Sequence, residues 1–161
     1  MKGLFKALTR ISVLFNILAG VAVVVMMLLT CADVLLRLLR HPIPGTYELV
    51  GFLGTVIISF ALALTSLEKG HIAVEILVER FPARVQSGIE AITSLIGATL
   101  FALLAWQSLV YGADMRHSGE VSVTLTMPIY PFIWGIAAGS ALLVAVLGAG
   151  GLRAALRAVK Q

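Results

Sequence analysis

ISVLFNILAGVAVVVMMLLTCA, residues 11 to 32, carries no charged side chain between Arg10 and Asp33. A helix rises 1.5 Å per residue, so spanning a hydrocarbon core of about 30 Å takes roughly 20 apolar residues. This stretch has 22. Its apolar residues form a block rather than a stripe at helical period, which is the pattern of a segment whose solvent is lipid. A cleaved signal peptide has an apolar core of only about 7 to 15 residues. Leu28-Leu29-Thr30-Cys31 faintly resembles a lipoprotein processing site, but the helical pattern runs on through Asp33-Val34-Leu35-Leu36-Arg37. Cys31 reads instead as a small apolar residue near an interface.

Three further blocks follow. Leu49 to Leu67 lies between Glu48 and Glu68, and Ala91 to Ala113 lies between Glu90 and Asp114, with Trp106 and Tyr111 near its far end. Amphipathic aromatic rings favour the headgroup level. The last uncharged run, Val121 to Leu152, is too long for one simple span. It alternates Val121, Val123 and Leu125 with Ser122, Thr124 and Thr126, then holds Pro128 and Pro131. That order predicts an extended interfacial segment followed by a helix. The expected fold is an all-α integral membrane protein, one domain over residues 1–161, with four spans at about 11–36, 49–67, 91–113 and 130–149.

Composition agrees. The chain is 60% hydrophobic and 12% charged, about half the charge of an ordinary soluble domain. Its pI near 9.6 does not indicate nucleic-acid binding, because the basic residues sit in short clusters beside apolar blocks and form no single polar face. A lone cysteine excludes a disulfide within the chain. Lys2, Lys6 and Arg10, then Lys69, Arg80 and Arg84, then Arg153, Arg157 and Lys160 fall on one side of a four-span topology. Only Arg37, Arg40 and Arg116 fall on the other. Nine against three predicts that both termini are cytoplasmic.

Between the spans, Pro42, Pro44 and Gly45 break the first helix and turn the chain. Thr46 is the expected N-cap of the second helix. Glu48 falls in its first turn, where a carboxylate is favoured by unpaired N–H groups and the dipole. A salt bridge from Glu48 to Arg37 or Arg40, or to a partner protein, is the alternative role. In the inner loop, Val74, Leu77, Val78 and Phe81 recur at helical spacing, with Glu75, Glu79 and Arg80 elsewhere on the wheel. This predicts an interfacial amphipathic helix over about 71–81, too short to cross and suited to lying along the membrane surface or docking a partner. Pro82 ends it and suits the first turn of the next helix.

No ionisable residue lies in the middle of a span, where one would mark a functional site by default. Most Ser and Thr in the spans read as helix-packing groups, whereas Asn16 and Gln107 are costly in lipid and are expected to face protein. Gly51, Gly54, Ser59, Ala61 and Ala63 in the second span, and Gly135, Ala138, Gly139 and Ala141 in the fourth, permit close helix approach. His41, His71 and His117 sit in three different loops, against a shared metal site. No phosphate loop, metalloprotease signature or nucleophile motif is present. The expectation is a protein that is not an enzyme and carries no cofactor or metal.

Four motifs occur in order: Asp33-Val34-Leu35-Leu36-Arg37 closing the first span, Tyr47-Glu48-Leu49 opening the second, Gly70-His71-Ile72-Ala73-Val74 in the inner loop, and Thr126-Met127-Pro128 before the last helix. Together they make the chain resemble, over nearly its whole length, the DctQ-like small membrane subunit of tripartite ATP-independent periplasmic (TRAP) transporters. Tyr47 stands where that family often has tryptophan. The resemblance implies a bacterial or archaeal cytoplasmic membrane, and a sodium-driven importer of organic acids such as carboxylates. In such a system a periplasmic binding protein delivers the solute, and a large membrane subunit carries the substrate and sodium sites. The small subunit is implied to be a non-catalytic scaffold that pairs with and stabilises the large one.

Asp33, Arg37 and Glu48 are expected to form an ion-pair group that fixes the first two spans or touches the binding protein. Arg116, His117 and Glu120, on the same side, are candidates for contact with the binding protein. Gly70, His71, Glu75, Glu79 and Pro128 are candidates for structural or partner-interface roles, membrane lipid being a further partner. A self-sufficient four-helix homodimeric transporter is the competing reading, with Asp33 its nearest coupling carboxylate.

Overall fold

Four long helices follow from the four apolar blocks: α1 (Lys2–Leu38), α2 (Thr46–Leu67), α3 (Ala83–Ser118) and α4 (Tyr130–Lys160). This computed structural model describes residues 2–67 and 83–160. The expected amphipathic helix, with Gly70, His71, Glu75 and Glu79, lies outside the described residues. Each helix contains a segment long and apolar enough to cross a membrane: Lys6–Leu38, Thr46–Leu67, Ile92–Ser118 and Tyr130–Leu152. At 37 and 36 residues, α1 and α3 are about 55 Å long, well beyond the roughly 30 Å of hydrocarbon.

The helices run alternately up and down. α2 and α4 form the central pair, with α1 packed mainly on α2 and α3 on α4. Small residues set the central approach. Gly139 of α4 lies so close to Ser59 of α2 that a Cβ at Gly139 would overlap the Ser59 carbonyl. Ala63 is fully buried beside Leu142 and Val146, with Leu8, Phe15 and Leu67 packed against them. Lipid tails are as apolar as leucine, so helices in a membrane are held by such close packing rather than by expulsion of water. Phe15 meets Phe60 with ring centroids 4.5 Å apart, joining α1 to α2. Phe52 and Phe132 stack at 4.2 Å, joining α2 to α4. On the other flank, Trp134 of α4 covers Gly112 of α3, and Leu147 touches Gly97.

α1 ends in a Schellman arrangement. His41 N–H donates to the Leu36 carbonyl at 2.9 Å and Arg40 N–H to the Arg37 carbonyl at 3.0 Å. Arg40 takes the left-handed conformation, φ 62°, a position that usually holds glycine. Gly45 then reverses the chain with φ 76°. The expected cap of α2 is corrected here: the Gly45 carbonyl accepts the Leu49 N–H at 3.1 Å, while the Thr46 hydroxyl donates backwards to the Ile43 carbonyl at 2.9 Å. Thr46 closes the turn instead of capping an N–H. α4 opens at Tyr130 with Pro131 in its first turn, where no backbone donor is needed.

The segment before α4 also departs from expectation. Val121 pairs with Pro128 in an isolated antiparallel bridge, Ser122 N–H donates to the Met127 carbonyl at 2.8 Å, and Thr126 N–H to the Ser122 carbonyl at 3.1 Å. It is a closed turn, with Thr126 at φ 51°, and not an extended run. Alternation over six residues with no partner strand does not distinguish the two.

Candidate functional site

Among the described residues, a group of polar contacts lies at one end of the bundle, where the α1–α2 connection and the 119–129 turn meet. Asp33, one turn before the end of α1, is 5% exposed. Its Oδ2 accepts Arg37 Nε–H at 2.7 Å and its Oδ1 accepts the Ile43 backbone N–H at 3.0 Å. One carboxylate therefore holds both its own helix and the Pro42–Pro44 connection. Among the described residues Asp33–Arg37 is the salt bridge present. Helical spacing of four places the two side chains on one face. The Arg37 guanidinium lies over the Tyr47 ring, 5.4 Å from its centroid.

Glu48 does not join that pair. Its Oε1 accepts the Thr124 N–H at 2.8 Å and its Oε2 the Leu125 N–H at 3.1 Å, so it ties the first turn of α2 to the turn before α4. The expected three-residue ion group is thus two separate clasps, one at Asp33 and one at Glu48. Ser122 also faces the Glu48 carboxylate, although its buried hydroxyl makes no hydrogen bond of good geometry. Leu125 packs on Gly45, where a Cβ would overlap the leucine side chain. Pro128 contributes through its bridge to Val121. Arg116, at the end of α3, lies 5.8 Å from the Trp134 ring centroid, and Tyr130 meets Trp134 edge to face at 5.2 Å.

Of the candidates named from the sequence, Asp33, Arg37, Glu48, Arg116 and Pro128 all lie at this end of the bundle. The sequence did not point to Leu125, to its contact with Gly45 or to the acceptor role of Glu48 toward a turn distant in the chain. Gly45 was legible as a turn residue; its contact with Leu125 had no local signal. Above the clasps, Val123 is 96% and Tyr47 80% exposed, two large side chains presented by firmly bonded backbone. Along the helices, Asn16 and Gln107, expected to face protein, are both exposed on this chain.

No curated protein and no solved structure matches the chain. The model of the family described as tripartite ATP-independent periplasmic transporters, DctQ component, matches residues 26–157, a stretch that contains both clasps, the last third of α1, all of α2 and α3 and nearly all of α4, and the chain belongs to that family.

Proposed function

We propose that this chain is the fixed membrane scaffold of a sodium-driven importer of organic acids, with both termini cytoplasmic. It pairs with and stabilises a large transport subunit, and its clasped end faces a periplasmic binding protein. The observation that carries this reading is the use made of Asp33. A coupling carboxylate must change its partner or protonation during a cycle. Asp33 instead has both oxygens committed, to Arg37 and to the Ile43 backbone, in a family of transporter components. The chain's charges support the orientation, nine of twelve Lys and Arg lying on the side of the two termini.

Asn16 and Gln107 support partner contact. Arg10 and Asp114 flank the spans, so each amide sits about 10 Å inside its apolar block. An amide exposed there is unfavourable against lipid and is satisfied by a polar group on another helix. The experiment is reconstitution in liposomes of the chain alone and with its large subunit and binding protein. Sodium-dependent carboxylate uptake is expected from the full set only. Uptake by the chain alone sinks the scaffold reading in favour of the self-sufficient transporter.

A further inference from the structure

We propose that the end of α1 carries a binding site for the phosphate of an anionic phospholipid, with the Arg37 guanidinium as its donor. An arginine has five N–H donors in a planar fork. Among the described residues, Arg37 makes one hydrogen bond of good geometry, from Nε to Asp33, and the Tyr47 hydroxyl faces the guanidinium, which still leaves Nη–H donors of the fork for a second oxyanion. The fork is held still. Asp33 is buried and its other oxygen is fixed by Ile43, so the carboxylate cannot swing, and the guanidinium rests over the Tyr47 ring, 5.4 Å from its centroid. The Arg37 side chain is nonetheless 45% exposed.

The surroundings select the ligand. The site lies where α1 leaves its apolar block, at headgroup level whichever side of the membrane this end faces. Val34 and Leu38 flank Arg37 on the helix and are exposed, a surface for acyl chain rather than for water. Two non-bridging oxygens of a phosphodiester match the spacing of a guanidinium fork. Asp33 neutralises Arg37, and the remaining charge of the 39–45 connection is the positive Arg40, while the Glu48 carboxylate in the first turn of α2 is taken up by the Thr124 and Leu125 N–H groups, an arrangement that favours an anionic over a zwitterionic lipid. Arg40 is also held in a left-handed backbone conformation at φ 62°, strain of the kind that persists where a side chain is needed.

Native mass spectrometry of the purified full chain in mild detergent, titrated with phosphatidylglycerol, tests the site. Tight retention of one lipid is expected, weakened roughly tenfold in Arg37→Lys, which keeps the charge and loses the fork, and unchanged in Lys6→Gln at the far end. Tyr47→Leu leaves the Asp33–Arg37 pair intact and is expected to weaken binding as well. It decides the matter if Arg37→Lys fails to fold. Wild-type affinity in a folded Arg37→Lys, or in Tyr47→Leu where Arg37→Lys does not fold, overturns the proposal. Equal binding of phosphatidylcholine overturns the anionic preference, and displacement of the lipid by an equal concentration of inorganic phosphate shows a free-anion site instead. Failure here leaves transport by the assembled system unaffected, so it is distinguishable from failure of the scaffold reading.

Discussion

Glu48 accepts the backbone N–H of Thr124 at 2.8 Å across 76 residues of chain. With the neighbouring bond to Leu125, this contact fixes the turn before α4 to the first turn of α2. The turn's own hydrogen bonds are few, so its shape depends on an acceptor supplied from elsewhere. Replacing Glu48 with Ala removes that acceptor from two backbone donors. Amide exchange at Thr124 and Leu125 is expected to quicken by roughly tenfold or more, while exchange in the middle of α2 and α4 stays slow. Unchanged protection at both amides would show that the turn holds itself.

Gly45 joins the two clasps from the other side. Its φ of 76° is unfavourable for any residue with a Cβ by about 1–2 kcal/mol, and Leu125 occupies the space that a Cβ would take. Gly45→Ala is therefore expected to lower the thermal unfolding midpoint in detergent. Adding Leu125→Ala relieves the steric part and not the backbone part, so the double variant recovers some of the loss, less the packing that Leu125 supplied. A double-mutant cycle with zero coupling energy contradicts the contact.

Arg40 poses the opposite case. It occupies the position in the Schellman motif that glycine fills without strain. Arg40→Gly is expected to raise the unfolding free energy by about 1 kcal/mol, measured by thermal unfolding of the isolated chain. A decrease would mean that the arginine side chain makes contacts worth more than the backbone strain.

Much of the architecture could be read from where charges stop. Ile11 to Ala32 and its three counterparts locate the helices because a lipid-exposed backbone has no other way to satisfy its hydrogen bonds. Pro42, Pro44 and Gly45 mark the first turn for equally local reasons. What escaped reading was long-range. Glu48 looked like a charge for the α2 dipole or for a nearby arginine, since nothing near it in sequence reveals Thr124. Val121 to Thr126 looked extended because a period of two shows alternation and not the bridge to Pro128. Asp33 and Arg37 were legible as a pair by helical spacing, but the bond from Ile43 that commits the second oxygen depends on how the connection folds back.

Glycines show the same limit and give a sharp test. Gly135 and Gly139 are equivalent in sequence as small residues of one span, yet a Cβ at Gly135 meets nothing within 4 Å, while one at Gly139 overlaps the Ser59 carbonyl. Backbone cannot move aside as a flexible side chain can. Gly139→Ala is expected to force α2 and α4 apart at a cost of about 1–3 kcal/mol. Gly135→Ala is expected to be neutral or to stabilise by up to about 1 kcal/mol through helix propensity. Equal midpoints for the two variants in detergent would refute the close crossing.

Asn16 and Gln107 separate stability from assembly. Both are exposed on this chain, on α1 and α3, the two helices that flank the central pair. Replacing either with Leu removes a polar group from a lipid-depth surface, so the isolated chain is expected to keep or slightly gain stability. If a large subunit covers that surface, its own polar group then loses a partner, at a typical cost of about 0.6 kcal/mol and up to about 1.7 for one interhelical hydrogen bond in a membrane. Co-purification with the large subunit from detergent is expected to fall for at least one of the two variants, with the double variant weaker than either. Full recovery of the complex by the double Leu variant, alongside unchanged stability, would place both amides against lipid and move the partner surface elsewhere on the bundle.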